Sequence, residues 1–180
     1  MGAYFDELYK NEISKFLVSK YGIKNPHCVP KITKITVSVG LGTDGGDKRI
    51  FEGTCNELAR ITGRKPCYRK SRKAIAGFNL KENQIIALFV TLRGKIMYEF
   101  LERLVFLTLP RVHDFRGFSR KSFDKSNNLA FGIKDHLVFN ELSYDTIIRS
   151  RGLNIMFTIS NGNSQDMVVD LLNGFSFPIK

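Results

Sequence analysis

Apolar residues at Phe5, Leu8, Tyr9, Ile13, Phe16 and Leu17 recur at helical spacing, and the Tyr21-Gly22 pair marks where that helix stops. From Lys31 to Leu41 the period shortens to two. Ile35, Val37, Val39 and Leu41 take one face and Lys34, Thr36 and Ser38 the other, the pattern of a strand with one side for a core. After a glycine loop, a second helix is expected from about Asp47 to Thr62, with Ile50, Phe51, Thr54, Leu58 and Ile61 inward and Gly63 and Pro66 closing it. Ile86, Leu88, Val90 and Leu92 alternate within a strand from Gln84 to Arg93. A third helix spans about Lys95 to Leu109 and closes at Pro110. Strands at Leu129 to Ile133 and Leu153 to Ser160 and a short helix at Ser164 to Leu172 complete the pattern, with no internal repeat.

Short alternating strands between helices predict an α+β fold, a mostly antiparallel sheet with helices packed on one face. The other face is then open, and Lys34, Thr36, Ser38, Thr91 and Arg93 are candidates to line it. The chain has 180 residues, which fits one domain, with residues 1–29 as an N-terminal helix and connector and 30–180 as the α+β core.

Charge adds a direction to that open face. The net charge is +11 with 43% hydrophobic residues, so this is a basic chain that still buries a core. Arg64, Lys65, Arg69, Lys70, Arg72, Lys73 and Lys81 form a run without Asp or Glu, and Tyr68 and Phe78 are set into it. Cations neutralise phosphates and aromatic rings stack on unpaired bases, so the mixture points to nucleic acid. A second basic and aromatic segment, from Arg111 to Lys125, holds Arg111, His113, Arg116, Arg120 and Lys121 among Phe115, Phe118 and Phe123. The three cysteines, Cys28, Cys55 and Cys67, show neither a CxxC nor a Cys/His ligand spacing, so no disulfide framework and no metal site are indicated. No apolar run approaches the length of a spanning helix and no signal pattern opens the chain, so a membrane role is not expected. Bacterial cytoplasm, synthesis inside an organelle or a removed leader all fit the start. Richness in Phe, Ile, Asn and Lys suggests an AT-rich coding genome and favours the mitochondrion slightly.

Enzymatic signals are thin. Gly40, Gly42 and Gly45 form GxGxxG between a strand and a helix, where a dinucleotide pyrophosphate would sit. The preceding strand alternates instead of being apolar throughout, and the position that should supply an acid for the ribose falls in the basic Arg60 to Lys65 region. Glycines serving a tight turn or a close backbone approach explain the motif better. His27, His113 and His136 lie far apart with no catalytic pattern nearby, and each reads as a loop or surface imidazole. No cofactor is expected.

Several blocks resemble one family: Lys31-Ile-Thr-Lys-Ile-Thr-Val-Ser-Val-Gly-Leu-Gly42, Leu58-Ala-Arg-Ile-Thr-Gly-Arg-Lys-Pro66, Ile75-Ala-Gly-Phe78, Thr91-Leu-Arg-Gly94, Met97-Tyr-Glu-Phe-Leu101, Leu109-Pro-Arg-Val-His-Asp-Phe-Arg-Gly117, Phe131-Gly-Ile-Lys134 and Arg151-Gly-Leu153. In this order, over roughly residues 30 to 175, they look like the bacterial-type large-subunit ribosomal protein five, the 5S rRNA-binding protein of the central protuberance. The resemblance implies a non-catalytic ribosomal constituent. Its partners would be 5S rRNA, large-subunit rRNA, P-site tRNA, neighbouring central-protuberance proteins and a small-subunit head protein. Together with the open face, it assigns 5S rRNA contacts to Lys34, Thr36, Ser38, Gly40, Gly42, Thr62, Gly63, Arg64, Lys65, Tyr68, Arg69, Thr91 and Arg93. A loop with Arg72, Lys73, Ile75, Ala76, Gly77, Phe78, Asn79 and Lys81 would reach P-site tRNA or the small-subunit head. Arg111, His113, Arg116, Arg120 and Lys121 would make further rRNA contacts. This chain has Ser38-Val39 where the family often has Asn-Met, and Arg64 where it has Gln, exchanging an amide contact for a hydroxyl and for a phosphate-seeking charge. An RNA chaperone of ribosome assembly is the alternative in the binding class, and a dinucleotide enzyme built on Gly40, Gly42 and Gly45 the one among enzymes.

Overall fold

The N-terminal periodicity forms Tyr4–Leu8 (α1) and Ser14–Tyr21 (α2), joined by a π turn over Tyr9–Ile13, and Gly22 ends α2 at φ 63°. This is a computed structural model, and it describes residues 4–113, 115–143 and 147–180. Strand β1 runs Lys31–Gly40, and helix α3 runs Lys48–Thr62. The Asp47 carboxylate caps α3 by accepting the Arg49 N–H at 2.9 Å, and Gly63 closes it at φ 68°. Then come β2, Cys67–Lys70; β3, Ile85–Leu92; and α4, Gly94–Arg103. The remainder is β4, Leu129–Ile133; β5, Leu153–Ser160; and α5, Gln165–Gly174, capped by the Ser164 hydroxyl.

The strands order as β2-β3-β1-β5-β4 in one antiparallel sheet, so the α+β expectation is met. Alternation decides which side of each strand is buried. Ile35, Val37 and Val39 of β1, Leu88, Val90 and Leu92 of β3, and Leu153, Ile155, Phe157 and Ile159 of β5 are buried, while the residues between them keep contact with solvent.

The helix expected to reach Leu109 is α-helical only to Arg103. A π turn over Leu104–Thr108 and a 3-10 turn over Leu109–Arg111 follow. Pro110 explains the change, since it donates no N–H and its ring crowds the carbonyl four residues back. Strand β2 was not foreseen. All four of its residues are exposed, so it lacks the alternation that marks a strand.

The chain divides into two compact units, the first comprising residues 1–35, 92–131 and 156–180, the second residues 36–91 and 132–155. The first is centred on aromatic packing. Phe5 and Phe175 lie 5.2 Å apart between ring centres, and Phe118, Phe131, Phe157 and Phe177 form a cluster with spacings from 4.3 to 5.9 Å. In the second, the inward face of α3 (Thr54, Leu58, Ile61) meets Val39 and Leu153.

Candidate nucleic-acid interface

Within the second unit, β1 ends outward with Thr36, Ser38 and Gly40, and its chain then enters the glycine loop. Gly42 takes φ 57°, a left-handed conformation that suits glycine. Gly45 is buried, and a Cβ there would lie 1.6 Å from the carbonyl oxygen of Ile85, so two backbones meet at that point. The N-terminus of α3 is already occupied by the Asp47 carboxylate. The GxGxxG spacing thus serves turn geometry and close approach, and the carboxylate cap takes the place where a pyrophosphate would bind.

Gly40 and Gly77 differ from Gly42 and Gly45. Neither has a positive φ, and a Cβ on either would meet nothing within 4 Å. The fold itself makes no demand for glycine at these two positions.

The loop is clamped by groups that no sequence motif joins. The Asp44 carboxylate accepts from Arg149 at 2.5 Å and from Arg151 at 2.7 Å, and Arg151 also reaches the Gly40 carbonyl at 3.4 Å. Behind Arg151, Nδ1 of His136 lies 3.0 Å from the Arg151 carbonyl oxygen and 3.1 Å from the Arg151 backbone nitrogen, and Nε2 of that ring lies 3.3 Å from the Glu57 carboxylate. His136 is 3% exposed, contrary to its reading as a surface imidazole, whereas His27 and His113 are exposed as expected. Burial alone pushes the His136 pKa down. The hydrogen bond and charge of Glu57, with the Arg151 carbonyl and Asp135, outweigh it and raise the pKa above its ordinary value.

The basic run follows α3. Thr62 is buried, and its hydroxyl donates to the Leu58 carbonyl at 2.7 Å, while Gly63, Arg64 and Lys65 turn outward. On β2, Cys67 pairs with Phe89 and Arg69 with Ala87, so Arg69 shares the outward face of β3 with Phe89. Its guanidinium stacks 4.9 Å from the Phe89 ring centre. Tyr68 points the other way and meets Phe51 edge-on at 6.1 Å, although it is 52% exposed. Arg64, Lys65, Arg69, Lys70, Arg72, Lys73 and Lys81 are all exposed, and none has a carboxylate partner among the described residues.

Residues 71–84 form a loop closed at its base and at its tip. Ser71 is buried, its hydroxyl donates to the Lys81 carbonyl, and its N–H donates to the Gln84 carbonyl at 2.8 Å. Gln84 in turn donates to the Thr43 carbonyl at 2.9 Å, tying this base to the glycine loop. Nearer the tip, Ile75 and Leu80 exchange two backbone hydrogen bonds of 3.0 and 3.2 Å. Ala76, Gly77, Phe78 and Asn79 lie beyond them, with Phe78 70% exposed.

Two groups fall elsewhere. Lys34 and Arg93 belong to the first unit, whereas Thr91 is in the second. Arg111, His113, Arg116, Arg120 and Lys121 are exposed on the first unit. Of these, Arg120 is engaged by Asp166 at 2.9 Å, so its charge is partly committed.

Two family models match consecutive parts of the chain: ribosomal protein L5 over residues 25–81, and the C-terminus of the same ribosomal family over residues 85–179. The chain belongs to the ribosomal protein L5 family. Among its relatives, the large ribosomal subunit protein uL5 of Burkholderia mallei (strain SAVP1) is 45% identical over 178 residues, 99% of each chain. That of Variovorax paradoxus (strain S110) is 45% identical over 172 residues, 96% of each. The family makes this a structural constituent of the ribosome and not an enzyme. The junction between the two matched segments falls at the base of the 71–84 loop.

Proposed function

We propose that the chain is built into the large ribosomal subunit, where it binds 5S rRNA and adjacent large-subunit rRNA in the central protuberance. The observation that carries this reading is the set of seven exposed cations from Arg64 to Lys81 without carboxylate partners among the described residues, beside an outward strand face. Such cations repel one another in the isolated protein, and a polyanion relieves that repulsion while releasing counterions. On the second unit, Thr36, Ser38, Gly40, Gly42, Gly63, Arg64, Lys65, Tyr68, Arg69 and Thr91 supply contacts, whereas Thr62, 1% exposed with its hydroxyl bound to the Leu58 carbonyl, is withdrawn from the set; Lys34 and Arg93 are the candidates on the first unit. Gly40, whose missing side chain the fold does not need, suits close approach of a sugar-phosphate backbone. Arg111, His113, Arg116 and Lys121 serve further rRNA contacts.

Titration against purified 5S rRNA at several salt concentrations tests the reading. With about five phosphates neutralised, log affinity falls with log salt at a slope near −3.5 to −4.5. A flat dependence, or equal affinity for any duplex of similar length, would refute a specific site. Co-sedimentation with intact ribosomes separates a resident protein from a transient assembly chaperone. Fractionation of the source cell decides between mitochondrial and bacterial ribosomes; both relatives named above are bacterial.

The Asp44 clamp gives a prediction whose sign is informative. Removing a negative charge beside an RNA surface strengthens binding if charge is all that matters. If Asp44 holds Gly40 and Gly42 in place through Arg149 and Arg151, then Asp44→Asn weakens 5S binding, by about 1 kcal/mol, because two hydrogen bonds to a carboxylate become weaker ones to a neutral amide oxygen at a partly exposed site. Filter-binding affinities at fixed salt read the direction.

The 71–84 loop is assigned to a second partner, P-site tRNA or the small-subunit head, with Arg72, Lys73 and Lys81 flanking the Ile75 to Asn79 tip. Deleting residues 76–79 is expected to spare 5S binding and particle assembly, because the base is held separately by Ser71 and Gln84. tRNA occupancy or subunit association should fall. Loss of 5S binding in a folded deletion protein would move the loop into the primary site.

A further inference from the structure

The outward side of α4 and of the turn after it does not follow the charge of the rest of the chain. Glu99, Glu102, Arg103 and Phe106 fall at successive helical neighbours, and with Leu107 they line an open groove of about 480 Å³. Phe106 is 51% exposed and Leu107 48%, while Met97, Phe100, Leu101, Leu104 and Val105 on the other side are buried. The core is therefore served without these two large apolar side chains. Phe106 is nonetheless held in place, with its ring centre 5.5 Å from that of buried Phe5, and Tyr4, 56% exposed, lies 5.9 Å from Phe5.

Helix α1 packs on α4 and adds to the local charge. Residues 4–12 and 99–107 together carry Asp6, Glu7, Glu12, Glu99 and Glu102 against only Lys10 and Arg103, in a chain whose net charge is +11. The neighbouring Lys95 lies 3.9 Å from Glu99, and both are about half exposed, so that pair is a weak one. A phosphate backbone is repelled by such a face. Cations are attracted to it, and the exposed Phe106 and Leu107 favour aliphatic side chains that shed water on contact.

We propose that this face docks a Lys/Arg-bearing amphipathic segment of a neighbouring protein in the ribosomal particle. Aliphatic side chains of that segment fill the groove beside Phe106 and Leu107, and its cations pair with Glu99 and Glu102. The proposal rests on the ribosomal reading and assigns the chain a protein-facing side distinct from its basic residues.

A photoreactive benzophenone amino acid placed at Leu107 of the full chain, incorporated into native ribosomal particles and irradiated, tests this. The expected product is a crosslink to a protein segment rich in Lys or Arg. Glu99→Lys at an exposed position, combined with Glu102→Lys at a half-buried one, should cut its yield tenfold or more in particles that still contain the chain. Crosslinks to rRNA, to a second copy of the chain, to a segment without basic residues, or to nothing would overturn the proposal while leaving the ribosomal reading intact. So would a yield indifferent to the charge reversal. Absence of the chain from the particles would overturn both.

Discussion

Gly45→Ala is expected to destabilise the second unit by roughly 3 kcal/mol or more, a loss large for a single methyl group. The methyl would sit 1.6 Å from the Ile85 carbonyl oxygen, and that atom belongs to the backbone at the start of β3, where no side chain can rotate away. Relief requires the Gly42–Gly46 turn to lift from β3, which breaks the 2.8 Å hydrogen bond from the Leu41 N–H to Ile86. Gly46→Ala is the control, because its Cβ would meet only the side chain of Gln84 at 3.8 Å. That neighbour is expected to be neutral or slightly stabilised, through the smaller entropy of the unfolded chain. Urea melts of the two variants read the contrast. Equal stabilities would mean that the loop does not press on β3.

What the sequence made legible follows from where each signal sits. Strands β4 and β5 lie at the residues expected, and α3 begins beside its Asp47 cap and ends at Gly63, since alternation, caps and glycines are local features. Strand β2 escaped because it is a short edge strand of exposed residues, paired only with β3 and irregular between Arg69 and Lys70. Its charge was readable and its geometry was not. The clamp escaped for another reason: Asp44 and Arg151 are 107 residues apart, and no pattern in the sequence joins them. His136 and Glu57 are likewise partnered only by the fold, so the sequence leaves His136 as a loop or surface imidazole and does not single out Glu57. The basic run was the most legible part of the candidate interface, because contiguous cations without acids remain exposed in almost any fold that accommodates them. The sorting of Arg69 and Tyr68 to opposite sides of β2 needed the register with β3.

That sorting shapes the prediction with the largest expected effect on binding. Arg64→Ala combined with Arg69→Ala is expected to weaken 5S rRNA binding by about 2–4 kcal/mol, if each guanidinium makes a charge-assisted contact. The salt slope should become shallower by about one unit for each phosphate no longer neutralised. Both side chains are exposed and neither has a carboxylate partner among the described residues, so the melting curve should shift little. Arg69→Lys isolates the second contribution. It keeps the charge but loses the planar stack that Arg69 makes 4.9 Å from the Phe89 ring, so it should restore the slope while recovering only part of the affinity. Tyr68→Ala, on the opposite side of β2 against Phe51, should change binding less than Arg69→Ala. Unchanged affinity in a folded Arg64/Arg69 variant would transfer the primary contact to the first unit, where Arg111, Arg116 and Lys121 are the exposed cations to substitute next.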